Sequence, residues 1–176
     1  KELIIVMPDG GRSFYSDTTD GHGGNYESFF IKELIPYFES HLPVSIGKDQ
    51  RTICGLSMGG YGAFRLGLKY PELFSAIGSF SGAVDSRRYL ERPEFSARLW
   101  DESSRLEIIA KDFSPEEFPR IKMLCGTEDF LLEHNRAFDK WLTDKGAVHE
   151  YTEYPGHHNW LFWDTHLPEM LDFIMA

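Results

Sequence analysis

The run RTICGLSMGGYGAFRLGLKY, residues 51–70, limits what this chain can fold into more than any other stretch. RTICGL has the apolar character of a buried strand, and MGGYGAFRLGLKY reads as a helix that stops before Pro71. Between them Ser57 is flanked by Gly55 and Gly59 in the pattern G-x-S-x-G. A strand, a sharp turn and a helix is the context that a nucleophile elbow requires. Such a turn strains the serine's backbone and crowds its neighbours against the preceding strand and the following helix, which glycine tolerates best. The helix opening at Met58 aims its first amides at the same spot, where they and the helix dipole would stabilise a developing oxyanion. The competing reading is a glycine-rich turn with an incidental serine. Nucleotide-binding glycine motifs are absent: there is no G-x-x-x-x-G-K-[ST], and no G-x-G-x-x-G after a strand.

The rest of the chain repeats the alternation. LIIVM (3–7), closed by PDGG, reads as a buried strand and turn. Residues 26–42 read as a helix capped by Asn25 and kinked at Pro36. FSAIGSFSG (74–82), RIKMLCG (120–126) and VHEYTEY (148–154) read as further strands, the last as an edge strand. Helices are expected over 132–146, ending at Gly146, and over 160–175, with Pro168 as an interior break. Residues 85–119 are polar and broken by Pro93 and Pro115, and read as an insertion or cap over one end of the sheet. The sum is a single α/β domain over residues 1–176 with a mostly parallel sheet.

With 176 residues, 41% of them hydrophobic and 15% aromatic, the chain can bury a sizeable core. A formal charge of −10 with no basic face argues against nucleic acid and anionic lipid as partners. No apolar run approaches the ~20 residues that span a bilayer. The chain starts at Lys1, without Met and already strand-like, so an upstream segment is expected to be missing, and the compartment stays unknown. Cys54 and Cys125 end two strand-like runs and are expected as buried, reduced thiols. No HExxH motif or Cys/His cluster appears, so neither a metal nor another cofactor is expected.

A nucleophilic serine needs a base, and the base an orienting acid. After the fourth strand, CGTEDFLLEHN offers Glu128 and Asp129. After the fifth, YPGHHNWLFW offers His157 and His158. Serine, acid and histidine then follow in the chain order of α/β-hydrolases, each after a strand. Phe130, Leu131, Trp160 and Trp163 flank these groups and could wall a substrate pocket, although the two tryptophans also fit a helix core. His41, His134, His149 and His166 have ordinary structural readings, and His22 lies in a loop that could overhang the site.

Together PDGG, GLSMGGYGA, CGTEDFLLEHN and YPGHHNWLFW resemble the family of putative esterases that includes esterase D, most of all its tributyrin, feruloyl and acetyl-xylan esterase branch. The likeness runs along the whole chain. It implies an α/β-hydrolase fold, with helices on both faces of the sheet, and hydrolysis of carboxylic esters, short-chain acyl or aryl, through an acyl-enzyme. It implies Ser57 as nucleophile, Asp129 as acid, His158 as base and the Met58 amide in the oxyanion hole. His157 stands where the family has a second glycine and is the fallback base. The family also carries an upstream central strand, between LIIVM and RTICG, whose loop supplies a second oxyanion amide. Nothing here matches it, so the chain is expected to be a C-terminal portion whose sheet is completed by an upstream segment or a partner subunit. The expected ligand is a small ester, possibly of a carbohydrate. Two other functions remain open: acyl transfer of the mycolyl type on the same triad, and a binding module that retains the fold without turnover.

Overall fold

Apolar runs become strands here only where a neighbour pairs with them. The computed structural model describes residues 3–18, 24–44, 47–85 and 102–176. Within them four strands, β1 (Thr52–Leu56), β2 (Ala76–Phe80), β3 (Arg120–Gly126) and β4 (His149–Tyr154), form one sheet in the order β1-β2-β3-β4. All three pairings are parallel, and the register sets Leu56 beside Phe80 and Phe80 beside Leu124. The connections carry α3 (Met58–Lys69) after β1 and α5 (Leu132–Asp144) after β3, with α6 (Trp160–Ile174) closing the chain. This is the α/β-hydrolase arrangement. Residues 86–101, nearly half of the expected cap, lie outside the described residues; of the remainder, α4 (Leu106–Ile109) packs against α3, with Leu106 in the core.

Because side chains alternate across a strand, each strand feeds two cores. Ile53, Ile77, Ile121 and Met123 point to one face and pack with α3 and α5 residues such as Phe64 and Phe138. Phe80 and Leu124 point to the other and pack with Phe162, Trp163 and Met170 of α6. Every residue of β2 is buried, as befits an interior strand. Pro168 does not break α6, which runs through it.

The first helix departs from the expected kink. α1 (Tyr26–Phe29) passes into a π-helical stretch, Phe30–Leu34, and then into α2 (Ile35–His41). Pro36 has no N–H to return to the carbonyl four residues back. The wider turn just before it, in which the Ile35 amide reaches the Phe30 carbonyl, precedes that gap, and the helical run continues. Asn25 caps nothing with its side chain; its carbonyl accepts the Phe29 amide at 2.8 Å instead. A buried ion pair anchors α1 to α3: Glu27 meets the Arg65 guanidinium at 2.8 Å and also accepts the Tyr70 hydroxyl at 2.7 Å. Burial alone would push the Glu27 carboxyl up, but hydrogen bonds from Lys69 and Tyr70 and the Arg65 charge outweigh it and hold it below its ordinary value.

Residues 3–7 correct the sequence reading. They form no strand, and Leu3, Ile4, Ile5, Val6 and Met7 are all exposed. The physical reason is pairing: no strand among the described residues lies beside them, and extended backbone without a ladder is not a sheet. Instead Ile4, Ile5, Val6 and Met7 border a shallow apolar cleft with Leu34, Phe38 and Leu42. On its side away from β2, β1 has no partner among the described residues. Cys54, expected to be buried, is exposed. Cys125 is buried and free.

Candidate active site

The elbow at Ser57 is strained and tightly held. Its backbone sits at φ 53, ψ −115, a conformation that costs a residue with a side chain about 1–3 kcal/mol. The Ser57 amide donates to the Phe80 carbonyl at 2.8 Å, and the Ser57 carbonyl accepts the Ala83 amide at 2.9 Å. The segment leaving β2 therefore grips the serine's backbone from both sides. A Cβ on Gly55 would lie 2.3 Å from the Gly59 backbone, so the first and last glycines of the motif are a contact pair. Met58 is the first residue of α3, and its N–H has no acceptor within the helix.

Two loops at the same rim carry the other groups. The acid loop follows β3 and the base loop follows β4, and they nearly touch. A Cβ on Gly126 would lie 2.1 Å from the Gly156 carbonyl oxygen, which in turn accepts the Glu128 amide at 3.0 Å. The Glu128 carboxylate accepts the Gly156 amide. Glu128 is thus a latch between the loops, and Asp129 is the carboxylate turned inward. Asp129 Oδ2 accepts from His158 Nδ1 at 2.8 Å, and Oδ1 accepts the Leu131 amide at 2.8 Å. His158 Nε2 lies 2.9 Å from Ser57 Oγ. Hydroxyl, imidazole and carboxylate form one chain of hydrogen bonds across three loops. His157, in contrast, is exposed.

Burial by itself would raise the Asp129 carboxyl. Hydrogen bonds from His158, the Ser81 hydroxyl and the Leu131 amide outweigh it and hold the group below its ordinary value, so it stays ionised. Its side chain is fully buried and that of His158 is 15% exposed, which limits screening of the pair by water. With Nδ1–H committed to Asp129, Nε2 is free to accept the serine proton as Oγ attacks an electrophilic carbon.

Aromatic rings frame the imidazole. Phe130 packs tilted on His158 at 4.6 Å between centroids, and Trp163 meets its edge at 5.0 Å, 87° between planes. Trp160 stands edge-on to Trp163 at 5.4 Å. Trp163 is buried, whereas Phe130 is 64% and Trp160 69% exposed, a large apolar surface left open beside a polar site. Leu131 does not belong with them. Its side chain is 1% exposed and sits in the core, because its position just before α5 turns it beneath the sheet rim; it serves the site through its amide.

Sequence reasoning missed Asn159 and Ser81. Asn159 caps α6, its side chain accepting the Phe162 amide at 3.1 Å, and so fixes the exit of the base loop; an Asn directly before a helix is a readable signal. Ser81 gave none. His22 lies outside the described residues. Among the described residues no three His, Cys, Asp or Glu side chains cluster as metal ligands, and no helix is long and apolar enough to cross a membrane.

Residues 1–174 match the family model described as "Putative esterase". The chain is 30% identical over 192 aligned residues to an acetyl esterase of Caldicellulosiruptor saccharolyticus, covering 98% of this chain and 71% of that protein. Among solved structures it is similar to FphF, a fluorophosphonate-binding serine hydrolase of Staphylococcus aureus, with TM-score 0.81 and 21% identity over 97% of this chain and 70% of that one. It is also similar to a ferulic acid esterase, with TM-score 0.75 and 25% identity over 91% of this chain and 62% of that one.

Proposed function

Because the chain belongs to the putative esterase family, and is by class a serine esterase, we propose that Ser57, His158 and Asp129 are its catalytic triad and that it cleaves short-chain acyl or aryl esters. The observation that carries this reading is the unbroken hydrogen-bond chain from Ser57 Oγ through His158 to Asp129. Ser57 Oγ attacks the ester carbonyl while His158 Nε2 takes its proton. Asp129 holds the imidazole in the required tautomer and stabilises the imidazolium. The Met58 amide, free at the start of α3, donates to the oxyanion. His158 then protonates the leaving alcohol, and water repeats the sequence on the acyl-enzyme. Phe130 and Trp160 offer an apolar wall beside His158, which suits an aryl or short acyl group, and the similar acetyl and ferulic acid esterases accord with that choice.

The same reading extends to the unpaired side of β1. A strand from an upstream segment or a partner subunit would lie between β1 and residues 3–7, where the exposed edge and five exposed apolar side chains face solvent. Amide exchange would then be slow along both in a longer protein and fast in residues 1–176 alone. Equal exchange rates in the two would remove the idea.

Substrate class is tested with p-nitrophenyl acetate, butyrate and octanoate and with methyl ferulate, each with and without added alcohols. An esterase of this kind should give free acid as the main product, with acetate, butyrate or ferulate esters as the favoured substrates. Predominant transfer to the added alcohol would make it an acyltransferase. No turnover by the wild-type protein would point to the binding module.

A further inference from the structure

Ser57 Oγ and His158 Nε2 lie 2.9 Å apart, and this contact also decides where each half of an ester lies. In acylation the bond from Oγ to the carbonyl carbon forms and the bond from that carbon to the alcohol oxygen breaks. The departing oxygen takes from Nε2 the proton that Oγ gave up. It therefore comes within hydrogen-bond reach of Nε2, about 3 Å. Around the tetrahedral carbon one direction belongs to Oγ, one to the oxyanion at the Met58 amide and one to the departing oxygen, and the acyl group takes the fourth. The alcohol half of the ester thus lies against whatever flanks the imidazole.

What flanks it is aromatic, and half of it is open. Phe130 packs on the imidazole at 4.6 Å, and Trp163, at its edge, carries Trp160 at 5.4 Å. Trp163 is buried, so the surface offered to a ligand belongs to Phe130 and Trp160, each more than half exposed. The Met58 side of Ser57 is built differently. A Cβ on Gly10 would lie 3.2 Å from Met58 Cε and 2.8 Å from the Tyr15 hydroxyl oxygen, and a Cβ on Gly62 would lie 2.2 Å from the Tyr15 ring. Loop backbone and a phenol crowd the oxyanion side, whereas exposed rings line the imidazole side.

We propose that Phe130 and Trp160 form the subsite for the alcohol half of the ester, and that this half is a neutral ring, a phenol or a sugar, laid with its flat face on theirs. Two large flat apolar surfaces, open beside a polar site, suit a ligand with a flat face of its own. The formal charge of −10 disfavours an anionic alcohol. The inference rests on the triad reading above and narrows it, since these rings then select the group that leaves and not the group that stays on Ser57.

The test measures kcat/KM for wild type, Phe130→Ala and Trp160→Ala on two series of esters. One keeps acetate and varies the alcohol: methanol, cyclohexanol, phenol and the 6-hydroxyl of methyl glucoside. The other keeps methanol and varies the acid: acetic, butyric and ferulic. The ratio of variant to wild type cancels the intrinsic reactivity of each ester. Relative to methyl acetate, that ratio should fall to about one fifth for a ring alcohol, as for one lost aromatic contact, and stay level along the acid series. A larger fall for phenyl acetate names a phenol as the better fit, and a larger fall for the glucoside names a sugar. Trp160→Phe and Phe130→Tyr, which keep a flat ring, should recover most of the preference. A ratio equal for all alcohols, whether near one or uniformly low, would overturn the proposal, as would a ratio that tracks the acid. Ser57→Ala run in parallel tells the two failures apart. If it hydrolyses like wild type, the triad reading has failed; if it is inactive while the ratios ignore the alcohol, only the alcohol subsite has.

Discussion

Ala76–Phe80 and residues 3–7 are both short apolar runs bounded by turns, yet the first is buried at every position and the second is exposed at every one. The difference is not hydrophobicity. β2 has β1 on one side and β3 on the other, and α3 and α6 across its two faces. Residues 3–7 have no ladder partner among the described residues. A strand is therefore a property of a pair, and an apolar run marks only the capacity to form one. The rim that carries the candidate site belongs to the paired region, since Ser57, Ser81, Asp129 and His158 leave the carboxyl ends of β1, β2, β3 and β4. The contrast predicts where a substitution matters.

The largest effect should fall on the acid. Asp129→Asn preserves shape but offers the imidazole the wrong partner, and kcat should drop roughly 10⁴-fold with the fold retained by circular dichroism; a drop of less than tenfold would detach Asp129 from catalysis. Next comes the core. Ile77→Ala should destabilise the chain by about 2–5 kcal/mol in urea unfolding, whereas Ile5→Ala should stay within about 0.5 kcal/mol. Equal costs would mean that residues 3–7 are packed in solution and would erase the contrast.

Acid should act more gently, and on the paired region. Glu27 and Asp129 both have carboxyls held below their ordinary values. Groups depressed in this way stabilise the fold above the unfolded-state pKa, and that stability is lost as pH falls through the folded-state pKa. Unfolding free energy should therefore be level around neutrality and decline as pH falls below about 4–5. Glu27→Gln should flatten part of that decline, and an unchanged slope would show that its partners do not hold the charge.

Much of this was legible in the sequence because it is local. G-x-S-x-G between an apolar run and a helical pattern encodes the elbow, and Asp129 and His158 follow their strands by a few residues. The side chains so read are those the structure joins by hydrogen bonds. What escaped depends on distant partners. The exposure of residues 3–7 turns on a neighbour that no local pattern reports. The π-helical answer to Pro36 depends on how one helix accommodates a missing donor. The inward turn of Leu131 and the left-handed turn at Ser81 are set by packing at the rim, since neither residue type advertises it.

The central claim is that Ser57 is a nucleophile activated by His158. It is tested most directly by exposing the chain to a fluorophosphonate probe and mapping the modified peptide by mass spectrometry. A nucleophilic Ser57 should give a single adduct there, absent in Ser57→Ala and slowed by orders of magnitude in His158→Ala. An adduct elsewhere, or labelling of Ser57 at the same rate without His158, would contradict it.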